Sequence, residues 1–132
     1  MKMFNKVVLI DDDVMELKYV ENMISKSSLI KETVTFSKGS EAIEYLKNTS
    51  VEEFPEIILV DIDMPELNGH QIVEKVKCLP QFILSKSNIA YLTGNASMDN
   101  LIEAAIKEVE LFIRKPLTIN KLKDVTVMCS AI

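Results

Sequence analysis

The chain has 132 residues, of which 48% are hydrophobic and 27% charged, with a net charge of −5. That length suits one domain with a real core, and the acidic balance, with no Lys/Arg cluster, argues against a nucleic-acid-binding face. No apolar run nears the roughly 20 residues of a membrane span, Met1-Lys2-Met3-Phe4-Asn5 lacks the apolar stretch of a secretory signal, and Cys78 and Cys129 lack metal-type spacing, which fits a reduced cytoplasmic compartment.

Strand and helix signals alternate five times. Residues 6–10 read as a buried strand running into Asp11-Asp12-Asp13. Residues 14–27 follow as a helix with Leu17, Val20 and Ile24 on one stripe. Residues 33–36 form a short strand. Ser37 or Ser40 is expected to cap the next helix, which turns Ala42, Ile43 and Leu46 inward. Ile57-Ile58-Leu59-Val60 is a strand buried on both faces; it opens onto Asp61-Ile62-Asp63-Met64-Pro65, where the proline cannot continue a ladder. A third helix from Gly69 stacks Ile72, Val76 and Leu79. Residues 88–93 are a fourth strand, ending at Thr93. Ser97 caps a fourth helix that packs Leu101, Ala105 and Val109, with Ile102 and Ile106 beside them. Residues 111–113 are a short fifth strand, broken at Lys115-Pro116. Thr118 caps a last helix with Ile119, Leu122 and Val125 inside.

This alternation implies an α/β fold, a parallel sheet with right-handed crossovers and helices on both faces. Every strand then ends at the same edge, where ligands bind in open α/β sheets. Asp11, Asp12 and Asp13 follow the first strand, Asp61 and Asp63 the third, Thr93 the fourth and Lys115 the fifth. Carboxylates gathered in one place repel, which raises at least one pKa, and a divalent cation removes the conflict. Oxygen ligands without His or Cys suit Mg²⁺, which in turn suits phosphoryl oxygens. Asp61 is the candidate nucleophile, with Lys115 as a point charge and Thr93 as a hydrogen-bond donor.

With Val8-Leu9-Ile10-Asp11-Asp12-Asp13, Leu59-Val60-Asp61-Ile62-Asp63-Met64-Pro65, Asn68-Gly69, Leu92-Thr93-Gly94 and Arg114-Lys115-Pro116 in this order, the chain resembles the receiver domain of two-component response regulators over nearly its full length. The resemblance implies a five-stranded, flavodoxin-like sheet in the order 2-1-3-4-5. It implies Asp61 as phosphoacceptor and Asp11 and Asp12 as the acidic pair, with Asp12 favoured as the direct Mg²⁺ ligand. Asp63 supplies a backbone carbonyl to the metal, Thr93 is the switch hydroxyl, and Lys115 pairs with the phosphoryl group. Phe112 matches the switch aromatic, without the hydroxyl of the tyrosine many members carry. A sensor histidine kinase or histidine phosphotransfer protein is the implied donor. The implied readout is the face of the fourth helix, fifth strand and fifth helix. Only about one helix of chain follows Lys115, so residues 1–132 are expected to be a stand-alone receiver of the chemotaxis-regulator type, with no output domain.

Each piece alone also has a plain structural role: Asp11-Asp12-Asp13 as a helix-capping charge run, Asp61-Ile62-Asp63 as a loop start, Lys115-Pro116 as an exposed dipeptide. His70 is expected on a helix surface and the seven methionines in the core. Two other functions stay open. The strand ending in Asp-x-Asp also looks like the haloacid dehalogenase phosphatases, although here the remaining acidic pair lies upstream and there is little room for a substrate cap. The other is a receiver-like binding module that is never phosphorylated.

Overall fold

A computed structural model describes residues 4–94, 97–109 and 111–130. Five strands, β1 (Phe4–Ile10), β2 (Ile30–Phe36), β3 (Ile57–Val60), β4 (Asn88–Thr93) and β5 (Leu111–Arg114), form one sheet in the order β2-β1-β3-β4-β5. Every neighbouring pair is parallel, as the alternation requires. Among the described residues six helices flank the sheet: α1 (Val14–Ser25), α2 (Gly39–Lys47), α3 (Gly69–Lys77), α4 (Pro80–Ser85), α5 (Met98–Ile106) and, after the last strand, α6 (Ile119–Ser130). No helix among the described residues is long and apolar enough to cross a membrane.

The two-residue period of the strands divides the core into two layers. Val7, Leu9, Ile57 and Leu59 face one side and pack with Leu17, Val20 and Ile24 of α1 and with Leu122 and Val125 of α6. Val8, Ile10, Ile58 and Val60 face the other and pack with Ala42 and Leu46 of α2 and with Ile72, Val73 and Val76 of α3. The central strands are covered on both sides, which is why they read as unbroken apolar runs.

Several elements depart from the sequence reading. β2 starts at Ile30, three residues earlier than its β-branched stretch suggests. The stripe of the third helix does not run through to Leu79: α3 ends at Lys77, and Pro80 opens the separate α4, suiting a first helical position where its missing N–H costs nothing. No residue of α4 is buried, so it carries no stripe to read. Neither Ser37 nor Ser40 caps α2; Lys38 occupies that position without a side-chain bond. Ser97 does cap α5, and the Thr118 hydroxyl accepts from the Lys121 amide at the start of α6. In α5 the buried residue is Ala104, not Ala105, and Leu101, Ile102 and Ile106 are exposed. Ile119 is only half-buried. Met15, Met98 and Met128 lie on the surface rather than in the core, Met23 and Met64 are half-buried, and Met1 and Met3 lie outside the described residues.

Candidate functional site

Sheet hydrogen bonding runs one residue past the strands and so fixes the acids at their ends. The Asp61 amide donates to the Ile10 carbonyl at 2.9 Å, and the Asp11 amide to the Phe36 carbonyl at 3.1 Å. Ile10 pairs with Val60, so Asp11 and Asp61 leave the sheet side by side. On the other flank the Lys115 amide donates to the Thr93 carbonyl at 2.8 Å, which draws the end of β5 to the end of β4. The Lys115–Pro116 peptide bond is cis.

The Lys115 ammonium reaches back across this edge. Its Nζ lies 2.9 Å from Asp11 Oδ2, 2.9 Å from Glu16 Oε2 and 3.3 Å from Asp61 Oδ2. Asp11 is 1% exposed and Asp61 6%, so these charges stand largely out of water and need one another. Burial alone would pull the Lys115 pKa down; the hydrogen bonds it donates to Asp11 and Glu16 outweigh this and hold the ammonium above the usual lysine range. Asp61 goes the other way. Burial, then the charge of Asp11, push its carboxyl up to about 6, and Lys115 and the Asp63 amide, which donates to it, offset this only in part. Carboxylates crowded at one strand edge require at least one such raised acid.

Asp11, Asp12 and Asp61 each offer a carboxylate oxygen within 4.8 Å of the others. This all-oxygen set fits a small hard divalent cation such as Mg²⁺, and exposed Asp12 leaves one side open to water or a further oxygen ligand. Asp13 does not join them. It caps α1, its Oδ1 accepting from the Met15 and Glu16 amides. The Asp63 side chain is exposed, and its backbone amide bonds to the Asp61 carboxylate. Thr93 is fully buried at the end of β4. Of Gly94, Asn95 and Ala96, which follow it, Gly94 is exposed and the other two lie outside the described residues.

Glu16 was not anticipated, although a signal exists. Asp13-x-x-Glu16 has capping-box spacing, in which the glutamate would turn back to the Asp13 amide. That amide donates instead to Asp11 Oδ1 at 2.9 Å, which leaves Glu16 to Lys115. His70 corrects a firmer expectation. It is buried, not on the surface; its Nδ1 lies 2.8 Å from the Tyr91 hydroxyl and its Nε2 3.3 Å from Asn100 Oδ1. The Tyr91 ring meets the half-buried Phe112 ring edge-on, with centroids 6.0 Å apart.

Gly69 is needed for close approach. A Cβ there would lie 2.6 Å from the Asp61 carbonyl oxygen and 2.7 Å from Ile62 Cα, both backbone atoms that cannot swing aside. Gly69→Ala is expected to cost about 1–3 kcal/mol through this overlap and to weaken Mg²⁺ binding by displacing Asp61. Urea unfolding and a magnesium titration of the variant check both; wild-type values in each would contradict the role assigned to the contact.

The sequence matches the response regulator receiver domain over residues 7–126, and the chain belongs to that family. It is 28% identical over 112 residues to a protein-glutamate methylesterase/protein-glutamine glutaminase of Methanococcus maripaludis, a match that covers 84% of this chain and 28% of that one. The chain thus spans little more than a quarter of that relative's length. Among solved structures it is similar to a two-component response regulator from Cytophaga hutchinsonii, with a TM-score of 0.85 and 25% identity over 99% of this chain and 100% of the other. It also shares its fold with the receiver domain of the histidine kinase CKI1 from Arabidopsis thaliana, solved with Mg²⁺ and BeF₃⁻, with a TM-score of 0.84 and 16% identity over 97% and 91% of the two chains. Family membership favours the receiver reading over the phosphatase one.

Proposed function

We propose that the chain is a phosphorylation switch in which Asp61 accepts a phosphoryl group from a phosphohistidine on a sensor histidine kinase or phosphotransfer protein. The observation that carries this reading is the meeting of Lys115 with Asp11 and Asp61 beside the oxygen trio of Asp11, Asp12 and Asp61. An Asp61 carboxylate oxygen attacks phosphorus, the P–N bond breaks, and the imidazole nitrogen keeps the electron pair. With its pKa near 6, Asp61 is mostly ionised and nucleophilic at neutral pH. Asp11, Asp12, Asp61 and the Asp63 carbonyl would hold Mg²⁺, which supplies charge neutralisation for the phosphoryl oxygens. The Mg²⁺ and BeF₃⁻ in the plant receiver support this assignment. Lys115 exchanges part of its contact with Asp61 for a phosphoryl oxygen, and the Thr93 hydroxyl donates to another. Phe112 and the face of α5, β5 and α6 carry the change to a downstream protein as a population shift. The proposed donors place the chain in the cytoplasm. Water attack on the aspartyl phosphate resets the switch.

Incubation with acetyl phosphate and Mg²⁺, followed by intact mass measurement, tests the proposal. A labile gain of one phosphoryl group is expected, absent with EDTA and absent in Asp61→Asn. An unchanged wild-type mass would instead favour a receiver-like module that binds without phosphorylation.

A further inference from the structure

α5 is held to the domain in an unusual way. Only Ala104 of this helix is buried, while Met98, Leu101, Ile102 and Ile106 face outward. Ala104 joins the apolar cluster that includes Ile72, Val73 and Val76 of α3, and polar ties to α3 lie at both ends of the helix. At the far end the Lys77 ammonium donates to the carbonyls of Lys107 and Glu108 at 2.6 and 2.9 Å, and Lys107 pairs with Glu74 at 2.8 Å. Glu74 is exposed, so that ion pair adds little. At the near end the tie passes through His70, which touches Tyr91 with one ring nitrogen in a buried contact and Asn100 with the other in a partly buried one.

A neutral imidazole fits both contacts. With the proton on Nε2, the ring donates to Asn100 Oδ1 and Nδ1 accepts from the Tyr91 hydroxyl. Tyr91 is fully buried, and burial, with Glu103 nearby, keeps that hydroxyl firmly protonated. The His70 and Tyr91 rings also meet edge-on, at 5.0 Å, and Tyr91 then meets Phe112. His70 directly follows Gly69, which lies against the Asp61 carbonyl and donates its amide to Ile62 at 2.8 Å. One continuous set of contacts therefore leads from the Asp61 backbone through Gly69 and His70 to Tyr91, Asn100 and the first turn of α5.

We propose that His70 is a positioning residue of the switch: by bridging the Tyr91 hydroxyl and Asn100 it fastens α5 to the segment that follows Asp61, so that a change at Asp61 moves α5. The inference rests on the switch reading above and adds to it a route and a residue. A displacement of the loop after Asp61 carries Gly69 and His70 with it. His70 cannot shift without loosening either the Tyr91 or the Asn100 contact, and Tyr91 forms the wall beside Phe112.

His70 is the chain's only histidine, so histidine-selective ¹⁵N labelling gives a single imidazole to observe. In the full chain with Mg²⁺, adding beryllofluoride is expected to shift the His70 ring resonances together with the amides of α5. The same experiment on His70→Phe and Asn100→Ala reads the coupling. Both variants are expected to gain the phosphoryl mass from acetyl phosphate as wild type does, while the beryllofluoride-induced shifts of α5 fall by about half or more. In the unmodified protein, α5 amide exchange is expected to quicken up to about tenfold in both variants, the size of one lost hydrogen bond, with the central strands unchanged. Asn100 is only half-buried, so its variant keeps the test open if His70→Phe folds poorly. The inference is overturned if the His70 ring stays unmoved when beryllofluoride binds, or if α5 responds in both variants as in wild type. A wild-type chain that takes neither beryllofluoride nor phosphoryl would sink the switch reading instead; the exchange arm, which needs no phosphate, would then still decide whether His70 fastens α5.

Discussion

Asp61→Asn is expected to make the metal-free protein more stable at neutral pH while abolishing its phosphorylation. The carboxyl of Asp61 titrates at about 6 in the folded chain, against about 3.8 for a free aspartate, because burial and then the Asp11 charge oppose its ionisation. The folded chain therefore binds a proton more tightly than the unfolded chain at this position. Between pH 4 and 6 it carries more protons than the unfolded state, so stability falls as pH rises through that window, and the loss is complete above about pH 6. The full shift would be worth about 3 kcal/mol at pH 7, and screening by water at this partly open edge brings the penalty to roughly 2 kcal/mol. Asparagine has the same shape and no charge, and Lys115 keeps Asp11 and Glu16 as partners. A gain of roughly 2 kcal/mol, or several degrees in Tm, is expected in EDTA at pH 7.5, shrinking to about a third of that by pH 4.5 and toward zero only below pH 4, where the unfolded aspartate is protonated too. Thermal unfolding at the two pH values checks this, and a variant less stable than wild type at pH 7.5 would contradict it. Mg²⁺ is expected to raise the Tm of wild type and to do so far less in Asp61→Asn, since the variant loses a charged ligand.

The second large effect belongs to Lys115. Its ammonium stands between Asp11, Glu16 and Asp61, and Asp11 is almost wholly out of water. Lys115→Met keeps an unbranched side chain one atom shorter and removes the charge, leaving these carboxylates uncompensated. Breaking a buried pair in this way costs about 3–5 kcal/mol, mostly as the penalty of the acid left behind. Urea unfolding at pH 7.5 in EDTA is expected to show a loss of that order, with part of it recovered on adding Mg²⁺, which supplies positive charge to the same oxygens. Because Asp61 and Lys115 share one network, Lys115→Met combined with Asp61→Asn should cost less than Lys115→Met costs alone, by more than the gain from Asp61→Asn alone, since one of the stranded charges is then gone. A loss below about 1 kcal/mol in Lys115→Met would show that water reaches these acids more freely than their burial implies.

The acids and the lysine were legible before any coordinates because their placement is a matter of topology. A parallel sheet sends every strand end to one edge, so an acid after an apolar run and a lysine before a proline converge whatever the helices do. The alternating strands, the doubly covered β3 and the meeting of Asp11, Asp12, Asp61 and Lys115 follow from period and strand-end position, which are local properties of the chain. Where period was absent the reading missed an element: α4 is one short helix with no fully buried residue, only Phe82 leaning on the core, and Pro80 starts it.

Partner choice among side chains was not legible, because it depends on how each helix is rotated and how closely it sits. Glu16 has the spacing of a cap and serves as an ion-pair partner, since the Asp13 amide was already taken. His70 looked solitary because its partners, Tyr91 and Asn100, are 21 and 30 residues away on other elements. The apolar residues of α5 form a stripe in sequence yet stay exposed, with only Ala104 buried. The sequence by itself determined which residues reach the sheet edge, through the two-residue and 3.6-residue periods and the direction of the strands. The tertiary structure alone decided which of them touch, because a hydrogen bond or ion pair is won at a few tenths of an ångström, and that distance is set by packing between elements far apart in the chain.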